Sequence, residues 1–557
     1  MVAAAIAAVL VSAASGGGHH PPRAAAAGQH KSSAKTTART PVSRRSPAAP
    51  ATSSAGERTV QFSPDGTTQL RVTIYDLRRT GPFLTLDFKA ACVSQGCSGF
   101  DGFAFHFYEG EGTFGPNSLG GIRLLDPVNN KVYRPVQDAG QNVWQSKLDI
   151  SLEAATSEKL WVKFPAPATT VTKLDVLFSN GGPQVPAMPI TTASAGPSAV
   201  EVGTGVETPP PDTFAKPPDS TNSSGLVLPV NSLLLTVGNS AGAEAESATS
   251  ATVTLNTDVL FKFAKSTLTP AASATLQRVA ADIAKRATGR VAVDGYTDSI
   301  GTDAVNGPLS EARARAVVGA LRPLTRGISY RATGHGSADP VAPNTKANGS
   351  DNPAGRALNR RVTVIYKVKA PAPPTPPAVQ TRATPTGSGT ATTSVTYHAL
   401  SGSAYQVRVD HLYREGDLLV ADYSARCLAS YGNGCDFKGD FAAEVPSEGS
   451  VDVPPVPLSA NSIPGFNSAY ASSDAVYLED ADGSIYNPAH DDANLSSSAA
   501  VANTDSLDSS TGPKPFETLW AYFPAPPADV TTMSFVLPGG RVRISGVPVE
   551  AAAPSSG

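Results

Sequence analysis

Val72 to Cys92 aligns without a gap with Val407 to Cys427, so one segment of this chain is written twice. Leu77 matches Leu412, Arg79 matches Arg414 and Cys92 matches Cys427. Further on, Leu160-Trp-Val-Lys-Phe-Pro-Ala-Pro167 matches Leu519-Trp-Ala-Tyr-Phe-Pro-Ala-Pro526, and each copy closes on a Met-Pro or Val-Pro strand, near residues 189 and 548. A chain of 557 residues exceeds what one core supports. A duplication on either side of an unrelated middle divides it into three folded units. In each copy, short alternating apolar segments such as those opening at Phe83 and Phe103 are separated by Gly, Pro, Asn and Asp, which predicts an antiparallel β-sandwich. Trp161 and Trp520 precede the repeated Phe-Pro-Ala-Pro and are read as core anchors.

Composition places the connections. Gly (49) and Pro (48) are abundant enough to require long spacers. The expected organisation is a signal peptide over 1–14, a disordered linker over 15–56, and a first β-sandwich repeat over 57–190. A linker over 191–250, a distinct middle domain over 251–368, a Pro-rich linker over 369–392 and a second β-sandwich repeat over 393–550 complete it. The apolar run from Met1 to Gly16 has the length of a signal-peptide apolar region and ends in small residues, with Val11-Ser-Ala13 acceptable for cleavage, although a basic start is missing. No stretch reaches the ~20 apolar residues of a membrane helix. The four cysteines fall as two local pairs, Cys92 with Cys97 and Cys427 with Cys435, which in an exported chain reads as two short-loop disulfides rather than a metal site. A net charge of -3 favours no nucleic-acid partner.

The middle domain carries the chemistry. Gly295-Tyr-Thr-Asp-Ser-Ile-Gly301 is followed by Asn306 and then by Leu309-Ser-Glu-Ala-Arg-Ala-Arg-Ala-Val317. A strand over 289–294 delivers Asp298 on the turn after it, and a helix over 308–322 brings Arg313 back toward that turn. An acid and a guanidinium held together grip a zwitterion, the acid taking an ammonium and the guanidinium a carboxylate in bidentate fashion. Pro308 is read at the first helical turn, where its missing donor costs nothing. Strands over 252–263, 328–334 and 361–367, with a helix through Leu276, Val279 and Ile283, predict an α+β sandwich of helices on a sheet.

Gly-x-Thr-Asp-x-x-Gly followed by Asn-x-x-Leu-Ser-x-x-Arg-Ala resembles the signature of the OmpA-like peptidoglycan-binding domain. Asp258-Val-Leu-Phe-Lys-Phe-Ala-Lys-Ser-Thr-Leu268 resembles its first strand and turn; Gly334-His-Gly, Pro340-Val-Ala-Pro-Asn344 and Gly355-Arg-Ala-Leu-Asn-Arg-Arg-Val362 resemble its closing segment. The resemblance covers about 252–368. It implies a βαβαββ fold and, as ligand, the diaminopimelate of the peptidoglycan stem peptide, whose free end carries an ammonium beside a carboxylate. It assigns Asp298 to the ammonium and Arg313 to the carboxylate, with Thr297 and Asn306 shaping the turn and Arg361 a further ligand contact. Lys262 stands where the family usually has an acid, a departure that bears on affinity or stem-peptide preference.

These observations point to a non-enzymatic module without a cofactor that binds peptidoglycan and anchors an exported protein to the cell wall, or to the outer membrane and periplasm of a two-membrane source. No Gly-x-Ser-x-Gly elbow, His-Glu-x-x-His or phosphate loop is present. A flagellar stator is a second class, but it needs a membrane helix ahead of the domain. In a third class the protein is an adhesin, the β-sandwich repeats binding a protein or glycan partner while the middle domain only tethers them.

Overall fold

A computed structural model describes residues 57–62, 70–93, 119–140, 142–146, 157–178, 182, 184–192, 225–239, 241–247, 249–346, 349–369, 394–398, 403–429, 476–491, 516–537 and 542–551. The expected signal peptide and first linker lie outside these residues. Among the described residues no helix is long and apolar enough to cross a membrane.

The first region contains β1 (Arg58–Phe62), β2 (Leu70–Thr80), β3 (Phe83–Cys92), β4 (Arg123–Asp126), β5 (Lys131–Tyr133), β6 (Ser157–Pro165), β7 (Lys173–Leu177) and β8 (Gln184–Thr192). The central region contains β9 (Val230–Asn239), β10 (Gly242–Glu246), β11 (Ser250–Asn256), α1 (Thr257–Leu260), α2 (Ala272–Arg286), β12 (Ala287–Gly295), α3 (Asp303–Leu321), β13 (Ser329–Gly334), α4 (Pro353–Asn359) and β14 (Arg361–Val368). The last contains β15 (Val395–His398), β16 (Ala404–Glu415), β17 (Leu418–Ala429), β18 (Tyr477–Glu479), β19 (Ile485–Tyr486), β20 (His490–Asp491), β21 (Glu517–Pro524), β22 (Thr532–Val536) and β23 (Arg543–Pro548).

The repeated sequences adopt the same pairing. In the first region β1, β2, β3 and β6 pair in that order, and in the last β15, β16, β17 and β21 do the same, all antiparallel. Val60 faces Val72 as Val395 faces Val407, and Asp87 faces Trp161 as Asp422 faces Trp520. Both hairpins break register at the matching place, between Ile74 and Asp76 and between Val409 and His411. The Arg79 and Arg414 match has a physical basis. Arg79 donates to the Pro167 and Ala168 carbonyls at 2.7 and 3.3 Å, and Arg414 to those of Pro526 and Pro527 at 2.7 and 2.8 Å, each fork closing the turn after Phe-Pro-Ala-Pro.

The segment expected to be linker over 191–250 contains two strands. Along β9, Leu233, Leu235 and Val237 alternate inward and are buried, a period-2 apolar pattern that a solvated spacer would not support. β9 pairs with β5, β10, β19 and β20, so it joins the strands of all three regions. Around it Leu125 and Leu177 of the first region pack with Leu418, Val420 and Trp520 of the last. Trp520 is buried there and donates Nε1 to the Gly182 carbonyl at 3.0 Å, whereas its counterpart Trp161 is only half-buried. The same contact holds polar groups: Arg134 Nε donates to Asp491 at 2.8 Å, Gln184 to the Tyr413 hydroxyl at 2.8 Å, and the Tyr522 hydroxyl to Asp175 at 2.7 Å.

Asp175 and Glu415 share this buried contact. Burial pushes both carboxyls up, and the charge of Asp175 pushes Glu415 further, to about 8. A folded carboxyl pKa above the unfolded value means that the folded state holds the proton more tightly, so stability is greatest at low pH and falls as pH rises through the folded pKa. The melting temperature should therefore decline from about pH 5 to about pH 8. Glu415→Gln should flatten that slope in a pH series of thermal melts; an unchanged slope would exclude this pair as its source.

In the central region the sheet runs β13-β12-β14-β11-β10-β9, with β12 and β13 parallel and the other pairs antiparallel. Apolar residues of α2 (Leu276, Val279, Ile283) and α3 (Val317, Leu321) pack with Val291, Val293 and Val364 of the sheet. β11 is shorter than expected because the Asn256 side chain caps α1, accepting the Asp258 amide at 2.9 Å. Helix α3 begins earlier than expected. Thr302 is extended and its carbonyl accepts the amides of Val305 and Asn306, both at 2.9 Å. Pro308 consequently lies inside the helix rather than at its first turn, where it removes one i to i−4 donor.

Candidate functional site

The site forms where β12 ends, and two glycines bring α3 onto it. Gly295 and Gly334 face each other across β12 and β13. A Cβ at Gly295 would lie 2.2 Å from the Ser310 carbonyl oxygen, and one at Gly334 would lie 2.3 Å from the Glu311 amide nitrogen. Only bare backbone therefore lets α3 rest on both strand ends and carry Arg313 over the turn. Ser310 fixes the contact, its hydroxyl donating to the Gly307 carbonyl at 2.7 Å and accepting the Gly336 amide at 2.9 Å.

Asp298 is 8% exposed. Its Oδ1 accepts the Ile300 amide at 3.0 Å, and its Oδ2 accepts Nη1 of Arg360 at 2.6 Å, with Nε of Arg356 3.8 Å away. Arg360 grips Asp258 with its other two nitrogens, at 3.0 and 2.6 Å. Hydrogen bonding to Asp258 holds the Arg360 pKa up, burial opposes it, and the Asp298 bond adds to the rise. Arg356 pairs with Asp351. Thr297 donates its amide to the Gly336 carbonyl at 2.7 Å, and its buried hydroxyl has no hydrogen-bond partner among the described residues. Asn306 donates Nδ2 to the Ile300 carbonyl at 3.1 Å, closing the Asp298 turn onto the first turn of α3.

Arg313 is 4% exposed. Its hydrogen bond among the described residues runs from Nε to the Lys265 carbonyl at 3.2 Å, and its guanidinium lies 5.5 Å from the centre of the Phe261 ring. Burial pushes its pKa down; Asp258 raises it, Arg360 lowers it and Asp298 raises it. Asp298 and Arg313 are thus electrostatic neighbours, yet Asp298 forms its ion pairs with Arg360 and, more loosely, with Arg356.

Arg361, expected as a further ligand contact, is 2% exposed and turned inward. Its guanidinium stacks 3.7 Å from the centre of the Tyr296 ring and donates to the Asp339 carbonyl at 2.9 Å. Successive residues entering a strand point to opposite faces, so the neighbour of an inward Arg361 reaches the site instead. Sequence reasoning did not single out Arg360, Asp258 or Asn359. Asn359 accepts the Val341 and Ala342 amides at 2.8 and 3.0 Å and donates to Asn344 Oδ1 at 3.0 Å, which accepts the Ser299 amide at 3.2 Å. That chain of bonds ties the 340–344 loop to the residue beside Asp298. The Asn359-Arg-Arg run was the available signal, although sequence alone does not say which arginine faces the acid.

Cys92 and Cys427 are buried, and no free cysteine occurs among the described residues. Cys97 and Cys435, their expected partners, lie outside those residues.

Residues 260–352 match the OmpA family. The chain is 42% identical over 115 residues to photosystem I P700 chlorophyll a apoprotein A2 of Gloeobacter violaceus, covering 20% of this chain and 13% of that protein. It is 41% identical over 122 residues to outer membrane protein A of Escherichia fergusonii, covering 20% of this chain and 49% of that protein. The chain therefore spans less than half the length of these relatives. Among solved structures, the cell wall anchor of the T6SS from Pseudomonas aeruginosa aligns at 31% identity and a TM-score of 0.20, over 23% of this chain and 89% of that one. Residues 260–352, with the sheet and the two helices packed on it, are thus an OmpA family domain.

Proposed function

We propose that the OmpA family domain grips peptidoglycan non-covalently, Asp298 accepting the ammonium and Arg313 the carboxylate at the free end of diaminopimelate in the stem peptide. Thr297 and Asn306 shape the turn. The observation that carries this reading is Arg313: a guanidinium nine-tenths buried beside the Asp298 turn, hydrogen-bonded to a backbone carbonyl and to no acid among the described residues. Such a group is completed by a carboxylate, and the neighbouring acid gives a ligand ammonium its place. The module is non-catalytic and holds an exported protein at the cell envelope. The flanking repeats are β-sandwiches displayed by that anchor, each stapled by a short-loop disulfide, Cys92 with Cys97 and Cys427 with Cys435.

Co-sedimentation of the full chain with purified sacculi tests the reading. Asp298→Asn removes the charge with little change of shape, and the loss of a charge-assisted bond should weaken retention by at least ~10-fold. Full retention by both Asp298→Asn and Arg313→Ala would reject the clamp.

A further inference from the structure

We propose that this site selects diaminopimelate whose free-end carboxyl is ionised and discriminates against the form in which that carboxyl is amidated. The inference rests on the peptidoglycan reading above and adds a preference within it. Three arginines and three aspartates surround the site, and their pairing is unequal. Arg360 bridges Asp258 and Asp298, and Arg356 pairs with Asp351. Both acids beside Arg313 are thus already engaged by another guanidinium, while Arg313 itself meets the Lys265 carbonyl and the face of Phe261. Lys262 and Lys265, both exposed on the turn next to Phe261, add positive charge at the same end.

This inequality sets which end of a zwitterion matters more. A ligand ammonium approaches a carboxylate whose charge is already shared with Arg360, so it gains less than it would from an unpaired acid. A ligand carboxylate approaches a buried cation with no acid of its own, and gains both a charge-assisted bond and relief of an uncompensated charge. A carboxamide offers one acceptor oxygen and an NH2 group, and that NH2 would oppose guanidinium N–H donors. It cannot accept in bidentate fashion and brings no charge. Amidation of the free-end carboxyl should therefore weaken binding by about 10- to 100-fold, the range expected for losing a hydrogen bond to a charged group.

Isothermal titration of the full chain with two soluble stem tetrapeptides, identical except for a free or amidated carboxyl at the free end of diaminopimelate, tests this. The free form should bind ~10- to 100-fold more tightly, and the difference should vanish in Arg313→Met. Equal affinity for the two peptides, or tighter binding of the amidated one, would overturn the selection while leaving peptidoglycan binding intact. Failure of both peptides to bind would overturn the peptidoglycan reading and the selection with it.

Discussion

Arg313→Met should sharply weaken retention on peptidoglycan and leave the fold standing. Methionine keeps an unbranched apolar stem of similar reach against Phe261, so packing is largely preserved while the guanidinium is lost. A bidentate charge-assisted contact contributes about 1.5–3 kcal/mol, so affinity should fall by about 10- to 150-fold. Stability should hold or rise, because the substitution removes a buried cation that has no acidic partner among the described residues. Arg313→Lys should lie between the two, retaining charge without the planar fork. Binding to sacculi and thermal melts, measured on the same preparations, separate these effects. Undiminished binding by Arg313→Met would remove Arg313 from the site.

Arg286→Ala should unfold the central domain at temperatures where Arg313→Met remains folded. At the end of α2, Arg286 donates to both oxygens of Glu246 at 2.6 Å, to Glu244 at 3.2 Å and to Asp282 at 2.7 and 2.6 Å. Burial pulls the Arg286 pKa down, but the bonds and charges of Asp282 and Glu246 outweigh it and hold the group charged. The Tyr366 hydroxyl donates to the same Asp282. Truncation would leave Glu246, 1% exposed, without this cation, and losing one partner of a buried ion pair costs about 3–5 kcal/mol. Glu244 and Glu246 lie on β10, so the network fastens β10, and β9 beside it, to α2. Chemical denaturation monitored by fluorescence and circular dichroism should show the lowered midpoint. A loss under ~1 kcal/mol would mean that water replaces the pairing, as at an exposed ion pair.

The sequence carried the architecture further than it carried the site. Gap-free alignment of Val72–Cys92 with Val407–Cys427 anticipated matching strand registers down to the break beside Asp76 and His411. Spacing on α3 was enough to bring Arg313 to the Asp298 turn, because Gly295 and Gly334 permit one close helix placement. What escaped was long-range. β9 and β10 follow a Pro-rich stretch and read as its continuation, since the short alternation of Leu233, Leu235 and Val237 does not announce that β9 pairs with strands more than 90 residues before it and 240 after it. Arg360 and Arg361 are adjacent and chemically equal in sequence; only the direction in which the chain enters β14 sends one to Asp298 and the other under Tyr296.

The most direct test of the zwitterion clamp is a crystal structure of the full chain with a soluble muropeptide carrying unamidated diaminopimelate. The account predicts the free-end carboxylate within about 3 Å of the Arg313 guanidinium and the ammonium at a similar distance from the Asp298 carboxylate, with Arg360 still holding Asp258. A muropeptide seated elsewhere, with Arg313 bonded only to the Lys265 carbonyl, would contradict it.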